Sequence, residues 1–251
     1  MLIRPIIFTM KKTSIFLVIL LFTVTILSAQ TENIFKVPLI GDKAPSFTAK
    51  STQGDISFPD DYFDKWILLF SHPADFTPVC TSEILDLASM QDDFKKLNTE
   101  LMVVSTDRLN SHIEWVKSIE SINYKERGLM KINFPIVSDS ELEISKKYGM
   151  IHPGSSSTNT VRAVYIINPD DKIRAIFYYP KNIGRNLDEI KRTLIALQYS
   201  EKNEVLIPAN WNPSDDVLIS SPETMDEAEK LEKTNNPDLY SLTWYMWFMK
   251  Q

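Results

Sequence analysis

The sequence predicts an α/β fold in which a mixed central sheet has helices on both faces. Short apolar runs alternate with amphipathic stretches from Trp66 onward, and this order is typical of strands that alternate with helices. Two later apolar runs flank the turn sequence Pro-Asp-Asp, which predicts a β-hairpin. The chain has 251 residues, of which 43% are hydrophobic, so it can bury the core of one or two domains.

The predicted elements follow one another in a regular order. Short apolar runs predict strands at 66–71, 101–106, 161–168 and 172–179. Apolar residues at helical spacing predict helices at 81–98, 111–122 and 186–198. Asn186 suits the N-cap of the last helix. Beyond residue 198 the composition changes to scattered prolines and an aromatic-rich end, so 199–251 form a separate C-terminal segment.

Residues 1–29 predict a secretory signal peptide. Lys11 and Lys12 form a short basic region, and the stretch from Ile15 to Leu27 is apolar apart from two threonines. That stretch is short for a membrane span, and an uncleaved anchor helix is the alternative. We therefore expect an exported protein, either periplasmic or secreted.

The charge of the chain argues against two classes of partner. The formal net charge is -6, and the sequence contains no basic stripe. Nucleic-acid binding depends on clustered Lys and Arg, so we expect no nucleic-acid partner. Attraction to an anionic membrane surface depends on the same positive charge and is also disfavoured.

Cys80 is the only cysteine in the chain. One cysteine cannot form an internal disulfide, and an odd thiol in an exported protein indicates a reactive group or an intermolecular pair. A buried and inert cysteine is the alternative. Because there is no Cys-x-x-Cys pair, the sequence disfavours a thioredoxin-like disulfide exchanger.

The residues around Cys80 predict a helix start. Thr77 has a hydroxyl suited to the N-cap, and Pro78 then takes the first helical position, where its missing N–H is not needed. This register makes Cys80 the third helical residue, near free backbone N–H groups and the positive end of the helix dipole. A thiolate is favoured at such a position.

Glu83 lies one turn beyond the N-cap, where its negative charge opposes a thiolate unless a cation neutralises it. Arg162, at the start of a predicted strand, is the first candidate for that cation, and Arg185 is the second. A surface position is the alternative for each. An arginine beside the sulfur would favour the thiolate and could donate to an incoming oxygen atom.

The three histidines, His72, His112 and His152, are far apart in the sequence. We find no acidic or cysteine partner at ligand spacing and therefore expect no metal site. His112 and His152 are interpreted as structural residues.

The stretch SHPADFTPVCTSE, from Ser71 to Glu83, resembles the P-x-x-x-T-x-x-C active-site motif of the peroxiredoxins. It is similar to the motif of the one-cysteine, peroxiredoxin 6 type branch of the AhpC/TSA family. Further segments resemble the same family in the same order, at 133–139, 148–150, 160–180, 184–190 and 207–213. The resemblance implies a thioredoxin-like fold over 38–198 and a C-terminal extension over 199–251 that makes dimer contacts.

The resemblance also implies an activity, the reduction of hydrogen peroxide and organic hydroperoxides in antioxidant defence. The thiolate of Cys80 would attack the peroxide and become a sulfenic acid. Pro73 would shield the sulfur, and Thr77 would position thiolate and peroxide through its hydroxyl. Arg162 would bind the thiolate and polarise the peroxide. No cofactor is implied.

Three more residues receive supporting roles from the resemblance. Glu83 would orient the catalytic arginine, and Arg185 would add a second positive charge. His72 occupies a place where this branch often has a histidine near the substrate. The alternative for His72 is a hydrogen-bonded histidine at the end of a strand.

The absence of a second cysteine has a consequence for the catalytic cycle. The chain has no resolving thiol of its own, so an external thiol, either a thioredoxin-like protein or a small thiol, must reduce the sulfenic acid. We expect a homodimer or a ring of dimers such as a decamer. A peroxide sensor or an oligomeric chaperone that uses the same thiol as a switch is the alternative function.

Overall fold

A computed structural model describes residues 37–251, so the predicted signal peptide lies outside the described residues. Its centre is a seven-stranded sheet in the order β2-β1-β5-β4-β3-β6-β7. The strands are β1 Phe47–Ser51, β2 Gly54–Phe58, β3 Trp66–Ser71, β4 Thr99–Ser105, β5 Ile136–Ser138, β6 Arg162–Ile167 and β7 Ile173–Tyr179. The inner strands β3, β4 and β5 are parallel, whereas β6 and β7 form the predicted antiparallel hairpin.

Helices cover the sheet. They are α1 Pro78–Lys96, α2 Leu109–Ile119, α3 Glu143–Lys147 and α4 Leu187–Asn203. Asn186 is the N-cap of α4, and its side chain accepts a hydrogen bond from the backbone N–H of Glu189. The predicted α/β architecture with a mixed central sheet and flanking helices is confirmed. The helix α1 begins at Pro78, the first helical position that the pattern around Thr77 predicts.

The strand β3 is buried on both faces and separates two core clusters. Leu68 and Phe70 pack with residues of α1, α2 and α4 in one cluster. Ile67 and Leu69 belong to the second cluster, which includes Ile144 of α3 and lies on the other face of the sheet. A continuous apolar run is the sequence pattern of such a doubly covered strand. The last residue of β3 leads directly into the loop 72–77 and then into α1.

The C-terminal segment contains a small separate sheet. Its strands are β8 Val217–Leu218, β9 Leu239–Thr243 and β10 Met246–Met249, and the helix α5 Met225–Glu232 lies between β8 and β9 in the chain. Trp247 is buried, but Trp244 is 65% exposed. The aromatic end of the chain therefore packs only in part on its own domain.

Within residues 37–251, none of the helices combines the length and the apolar character that crossing a bilayer requires.

Candidate active site

The first turn of α1 carries the only cysteine of the chain. Thr77 takes the N-cap position and Pro78 is the first helical residue, as the sequence predicts. Cys80 is therefore the third helical residue, close to the backbone N–H groups that lack intrahelical partners at a helix start. The positive end of the helix dipole favours a negative charge on its sulfur.

One detail of the predicted helix start is wrong. The Thr77 hydroxyl donates a hydrogen bond to the carbonyl of Ala74 at 2.9 Å and does not cap the helix. The backbone has the extended geometry of an N-cap residue, but the side chain turns back into the preceding loop. Because the Thr77 O–H donates its hydrogen bond to the carbonyl of Ala74, the lone pairs of the Thr77 oxygen remain to accept a hydrogen bond from another group.

Arg162 is the arginine that the structure places at the sulfur. Its Nη1 lies 3.2 Å from Cys80 Sγ, and both residues are almost fully buried, at 2% and 1% exposure. Nε and Nη2 of the same guanidinium donate to the carbonyl oxygen of Lys181, at 3.0 and 2.6 Å. These two bonds hold the guanidinium from its other edge, so its position does not depend on the sulfur alone.

The sheet explains why two residues 82 positions apart meet. Ser71, the last residue of β3, donates its hydroxyl to the carbonyl of Val161 and accepts from the backbone N–H of Ala163. These bonds fix the start of β6 beside the end of β3. Arg162 begins β6, and Cys80 follows β3 by one loop and one helical turn, so both side chains lie at the same end of the sheet.

Glu83 binds both arginines. It accepts from Arg162 Nη1 at 2.6 Å, and from Arg185 through the backbone N, Nε and Nη2 at 2.7, 2.9 and 2.8 Å. Burial alone raises the pKa of Glu83, but the charge and hydrogen bonds of Arg185, and then the charge of Arg162, hold that pKa below its ordinary value. Glu83 is therefore a carboxylate at neutral pH.

Arg185 acts on the site through its partners. Its Nη1 donates to the carbonyl oxygens of Ser71 and Ala163, at 2.8 and 2.9 Å, and so reinforces the junction of β3 and β6. Its guanidinium carbon lies 4.9 Å from the centre of the Phe70 ring, within the range of a cation–π contact. The second positive charge predicted for this site is thus directed at Glu83 and at the strand ends.

The charged side chains around Cys80 do not cancel one another. Glu83, Arg162 and Arg185 together carry one net positive charge in a buried site. A thiolate at Cys80 brings the sum to zero, whereas a neutral thiol leaves an uncompensated positive charge. Buried charges are stable only when they are paired, so the cluster is suited to one further negative charge.

Pro73 lies in the half-buried loop between β3 and α1, and the segment before Arg162 holds that loop. Asn159 Nδ2 donates to the carbonyl of Pro73 at 2.8 Å, and Thr160 Oγ1 donates to the carbonyl of His72 at 2.7 Å. The loop that carries Pro73 and Thr77 is therefore joined to the segment that carries Arg162.

His72 points into the protein. It is fully buried, its Nε2 lies 3.0 Å from Asp75 Oδ1, and its ring lies 4.9 Å from the ring of Trp115. These contacts are those of a hydrogen-bonded histidine at a strand end, which is the alternative that the sequence left open. A contact of His72 with substrate stays a prediction.

Sequence reasoning missed the partners of His72. His112 Nδ1 lies 3.0 and 2.9 Å from the two carboxylate oxygens of Asp75, and Asp107 Oδ2 accepts from the backbone N–H of Asp75. The spacing His72-x-x-Asp75 was a usable signal within one loop. His112 comes from α2, and only the tertiary structure brings it to this carboxylate.

The statement that no acidic residue lies at ligand spacing from a histidine is wrong. Ligand atoms of His72, Asp75 and Asp107 lie within 4.8 Å of one another. The donor set still fits a metal poorly, because a metal-bound histidine normally donates its other N–H to an outer acceptor, and His72 Nδ1 has no partner among the described residues. The absence of a metal stays a prediction.

Comparisons with known proteins find one family along most of the chain. The model of the AhpC/TSA family matches residues 40–176, and the model of the C-terminal domain of 1-Cys peroxiredoxin matches residues 196–235. A peroxiredoxin of Methanosarcina mazei is 50% identical over 215 residues, which cover 85% of this chain and 98% of that protein. A peroxiredoxin of Thermotoga maritima is 43% identical over 219 residues, 86% of this chain and 98% of that protein.

Solved structures show the same similarity. The yeast mitochondrial 1-Cys peroxiredoxin matches with a TM-score of 0.74 and 37% identity, over 85% of this chain and 99% of that one. A cysteine-to-serine variant of peroxiredoxin 6 of Arenicola marina matches with a TM-score of 0.74 and 33% identity, over 85% of this chain and 98% of that one.

The fold and these matches define the class of the protein, a thiol-dependent peroxidase with a thioredoxin-like fold and a C-terminal extension. The chain belongs to the peroxiredoxin (AhpC/TSA) family, and to its one-cysteine, peroxiredoxin 6 type branch. It is an oxidoreductase that reduces peroxides with electrons from thiols.

Proposed function

We propose that Cys80 is the nucleophile of this peroxidase. The thiolate sulfur attacks the peroxide oxygen that carries the proton, the S–O bond forms, and the O–O bond breaks. Sulfur loses two electrons and becomes a sulfenic acid, while the leaving oxygen takes a proton and departs as water or an alcohol. The observation that carries this proposal is the distance of 3.2 Å between Arg162 Nη1 and Cys80 Sγ in a buried site.

Arg162 is proposed to serve both sulfur and peroxide. An arginine has five N–H groups. Nη1 donates to Cys80 and Glu83, and Nε and Nη2 donate to Lys181, so these bonds use four of the five groups. The remaining N–H of Nη2 is then left for the peroxide, where it stabilises the negative charge that develops on the leaving oxygen.

Thr77 is proposed to orient the peroxide as a hydrogen-bond acceptor. The Thr77 O–H donates a hydrogen bond to the carbonyl of Ala74, so the lone pairs of the Thr77 oxygen can accept a hydrogen bond from the O–H of the peroxide. Pro73, in the same loop, is proposed to exclude water from the sulfur. Glu83 and Arg185 hold Arg162 in place. His72 is proposed to lie near the substrate, on the buried side of the loop.

The reductant of the sulfenic acid is proposed to be a thiol from outside the chain. Cys80 is the only cysteine, so the first thiol forms a mixed disulfide with it and releases water, and a second thiol then restores Cys80. In the yeast mitochondrial 1-Cys peroxiredoxin, the thiol is resolved through glutathione and thioredoxin systems. For the present chain we propose a thioredoxin-like protein or a small thiol of the compartment in which it works.

Two further proposals concern assembly and location. The exposed Trp244 and Tyr245 at the C-terminal end support a homodimer or a ring of dimers, because such apolar groups favour a partner surface.

The basic and apolar pattern of residues 1–29 supports export. Mass spectrometry of the protein from its native cells should find a mature N-terminus near Gln30, and an intact leader would contradict cleavage.

One experiment tests the nucleophile and the turnover together. Reduced protein is mixed with one equivalent of hydrogen peroxide, and the masses of the intact protein and of its proteolytic peptides are measured. We expect the mass of one oxygen atom to be added at Cys80, and sustained peroxide consumption when excess dithiol is present. Oxidation at a site other than Cys80 would refute the assignment, and a single oxidation without turnover would favour a sensor.

A further inference from the structure

A buried carboxylate in the active-site loop binds two histidines from different parts of the chain. Asp75 lies in the middle of the loop 72–77, and it accepts from His72 Nε2 at 3.0 Å and from His112 Nδ1 at 2.9 Å. All three side chains are at most 2% exposed. Nothing in the peroxidase chemistry described above uses Asp75 or His112.

The two histidines have complementary tautomers. Each must have its proton on the nitrogen that faces Asp75, which is Nε2 in His72 and Nδ1 in His112, because the carboxylate can only accept. The other nitrogens, His72 Nδ1 and His112 Nε2, are buried and have no partner among the described residues. A neutral ring leaves only a lone pair there, whereas a charged ring would leave an N–H without an acceptor.

The electrostatics of the group agree with a neutral His72 ring beside the Asp75 carboxylate. Burial lowers the pKa of His72, and the nearby His112 acts in the same direction, against the opposing effects of Asp75 and Asp107. Burial alone raises the pKa of Asp75, but the hydrogen bonds from His112 and then His72 hold it below its ordinary value.

The group fixes one side of the loop 72–77. Asn159 and Thr160 hold the loop carbonyls on the side of β6, as described above. On the other side, the loop is held by His112 at the Asp75 side chain and by Asp107 at the Asp75 backbone N–H, at 3.0 Å. Pro73 and Thr77 lie two residues from Asp75 on either side, so a loss of this anchor moves both.

We propose that Asp75 and His112 are positioning residues, which hold the loop of Pro73 and Thr77 in its reactive form and set the tautomer of His72. This inference rests on the proposed role of Cys80. An error of about 1 Å in the position of a reacting group can reduce a rate by about 10²-fold, so a buried anchor within two residues of both groups has a measurable effect.

The kinetic test compares three variants in single-turnover reactions of reduced protein with hydrogen peroxide. His112→Leu removes the N–H donor, whereas His112→Asn retains an N–H at the position of Nδ1. His152→Leu is the matched control, because the His152 side chain is half-exposed and contacts the carbonyl of Gly149 and the ring of Tyr178 rather than Asp75. We expect a loss of about 10²-fold in His112→Leu, recovery of most of the rate in His112→Asn, and no change in the control.

The spectroscopic test reads the tautomers directly. The chain contains three histidines, so the imidazole nitrogen resonances of ¹⁵N-histidine-labelled protein can be assigned with the His112→Asn and His152→Leu variants. We expect the Nε2–H form at His72 and the Nδ1–H form at His112. Asp75→Asn should make one ring change tautomer, since an amide accepts one N–H and donates to the other ring.

These results separate the inference from the proposed function. A His112→Leu variant with the wild-type rate, or a His112→Asn variant as slow as His112→Leu, would overturn the positioning role. If His112→Leu does not fold, Asp75→Asn decides, and unchanged tautomers in it would equally overturn the inference. Cys80→Ser tests the nucleophile alone, so an active Cys80→Ser protein would refute the proposed function while leaving the tautomer assignments intact.

Discussion

Glu83 accepts three hydrogen bonds from Arg185, which include one from the backbone N–H and two from the guanidinium. The same carboxylate accepts a fourth bond from Arg162, whose Nη1 also contacts Cys80 Sγ. Arg185 and Glu83 thus form the support on which the sulfur-binding arginine rests. Because all these groups are buried, a change in one of them alters the charge balance that Cys80 experiences.

Replacing the nucleophile should abolish peroxide reduction. We expect Cys80→Ser to consume no peroxide, since a serine hydroxyl stays protonated in this site and is a weak nucleophile.

Thr77→Val, which keeps the shape of the side chain, should reduce the rate constant with hydrogen peroxide by about 10²-fold through the loss of an orienting group. Stopped-flow measurements with excess peroxide test both, and Ser118→Ala on the exposed face of α2 serves as the control.

The two arginines should differ in their effects. Arg162→Gln removes the donor at the sulfur as well as one positive charge, and we expect a loss of about 10²–10³-fold in the rate constant with hydrogen peroxide. Arg185→Gln removes the same charge but leaves the donor, so the loss should be smaller. Equal losses would show that Arg162 acts only through its charge.

A charge-balanced double variant isolates the electrostatic part of this argument. In Glu83→Gln with Arg185→Gln, one negative and one positive charge are removed together, so Arg162 again balances a thiolate. We expect the double variant to react faster with peroxide than Arg185→Gln alone. A double variant slower than both single variants would show that the hydrogen bonds of Glu83 matter more than its charge.

The fold was predictable where one local pattern decided the outcome. The run at 66–71 became β3 with the predicted bounds, because a continuous apolar run fits a strand covered on both faces. The strands β1 and β2 were not predicted, since Gly54–Phe58 mixes polar and apolar residues and is held by its pairing with β1. The three-residue strand β5 is similarly defined by its neighbours in the sheet.

The candidate site was predictable in part. The helix-start pattern around Cys80 is local. Arg162 and Arg185 were the candidates for the cation beside Glu83, and the family resemblance gave each of them a role. The contacts of Asp75 with His112 could not be derived in this way, because they join a loop to a separate helix 37 residues away. The direction of the Thr77 hydroxyl depends on the position of the Ala74 carbonyl, which no sequence pattern specifies.

The exposed aromatic end of the chain should determine the oligomeric state. We expect Trp244→Ser combined with Tyr245→Ser to shift the mature protein from dimers or rings toward monomers at micromolar concentration, because these side chains are 65% and 52% exposed. Phe63→Ser is the control, since Phe63 is an exposed aromatic of the main domain that lies outside the C-terminal segment. Sedimentation velocity measures all forms, and a wild-type protein that sediments as a monomer would contradict the assembly.

The last prediction concerns the stability that Glu83 provides and its dependence on pH. Glu83→Gln leaves two buried guanidinium groups with weaker partners, and breaking a buried ion pair in this way lowers the free energy of unfolding by about 3–5 kcal/mol. The Arg185 and Arg162 contacts hold the pKa of Glu83 below its ordinary value, so the unfolded chain binds more protons at this residue than the folded chain in the acidic range. The contribution of Glu83 is therefore complete above the unfolded pKa of about 4.3 and decreases as the pH falls toward the folded pKa.

Urea unfolding of wild type and Glu83→Gln should show a difference in the free energy of unfolding that is largest at neutral pH and shrinks in acid. Glu114→Gln, which affects an exposed pair with Lys117, should show little difference at any pH, and a Glu83→Gln difference that is constant down to acid pH would refute the electrostatic origin.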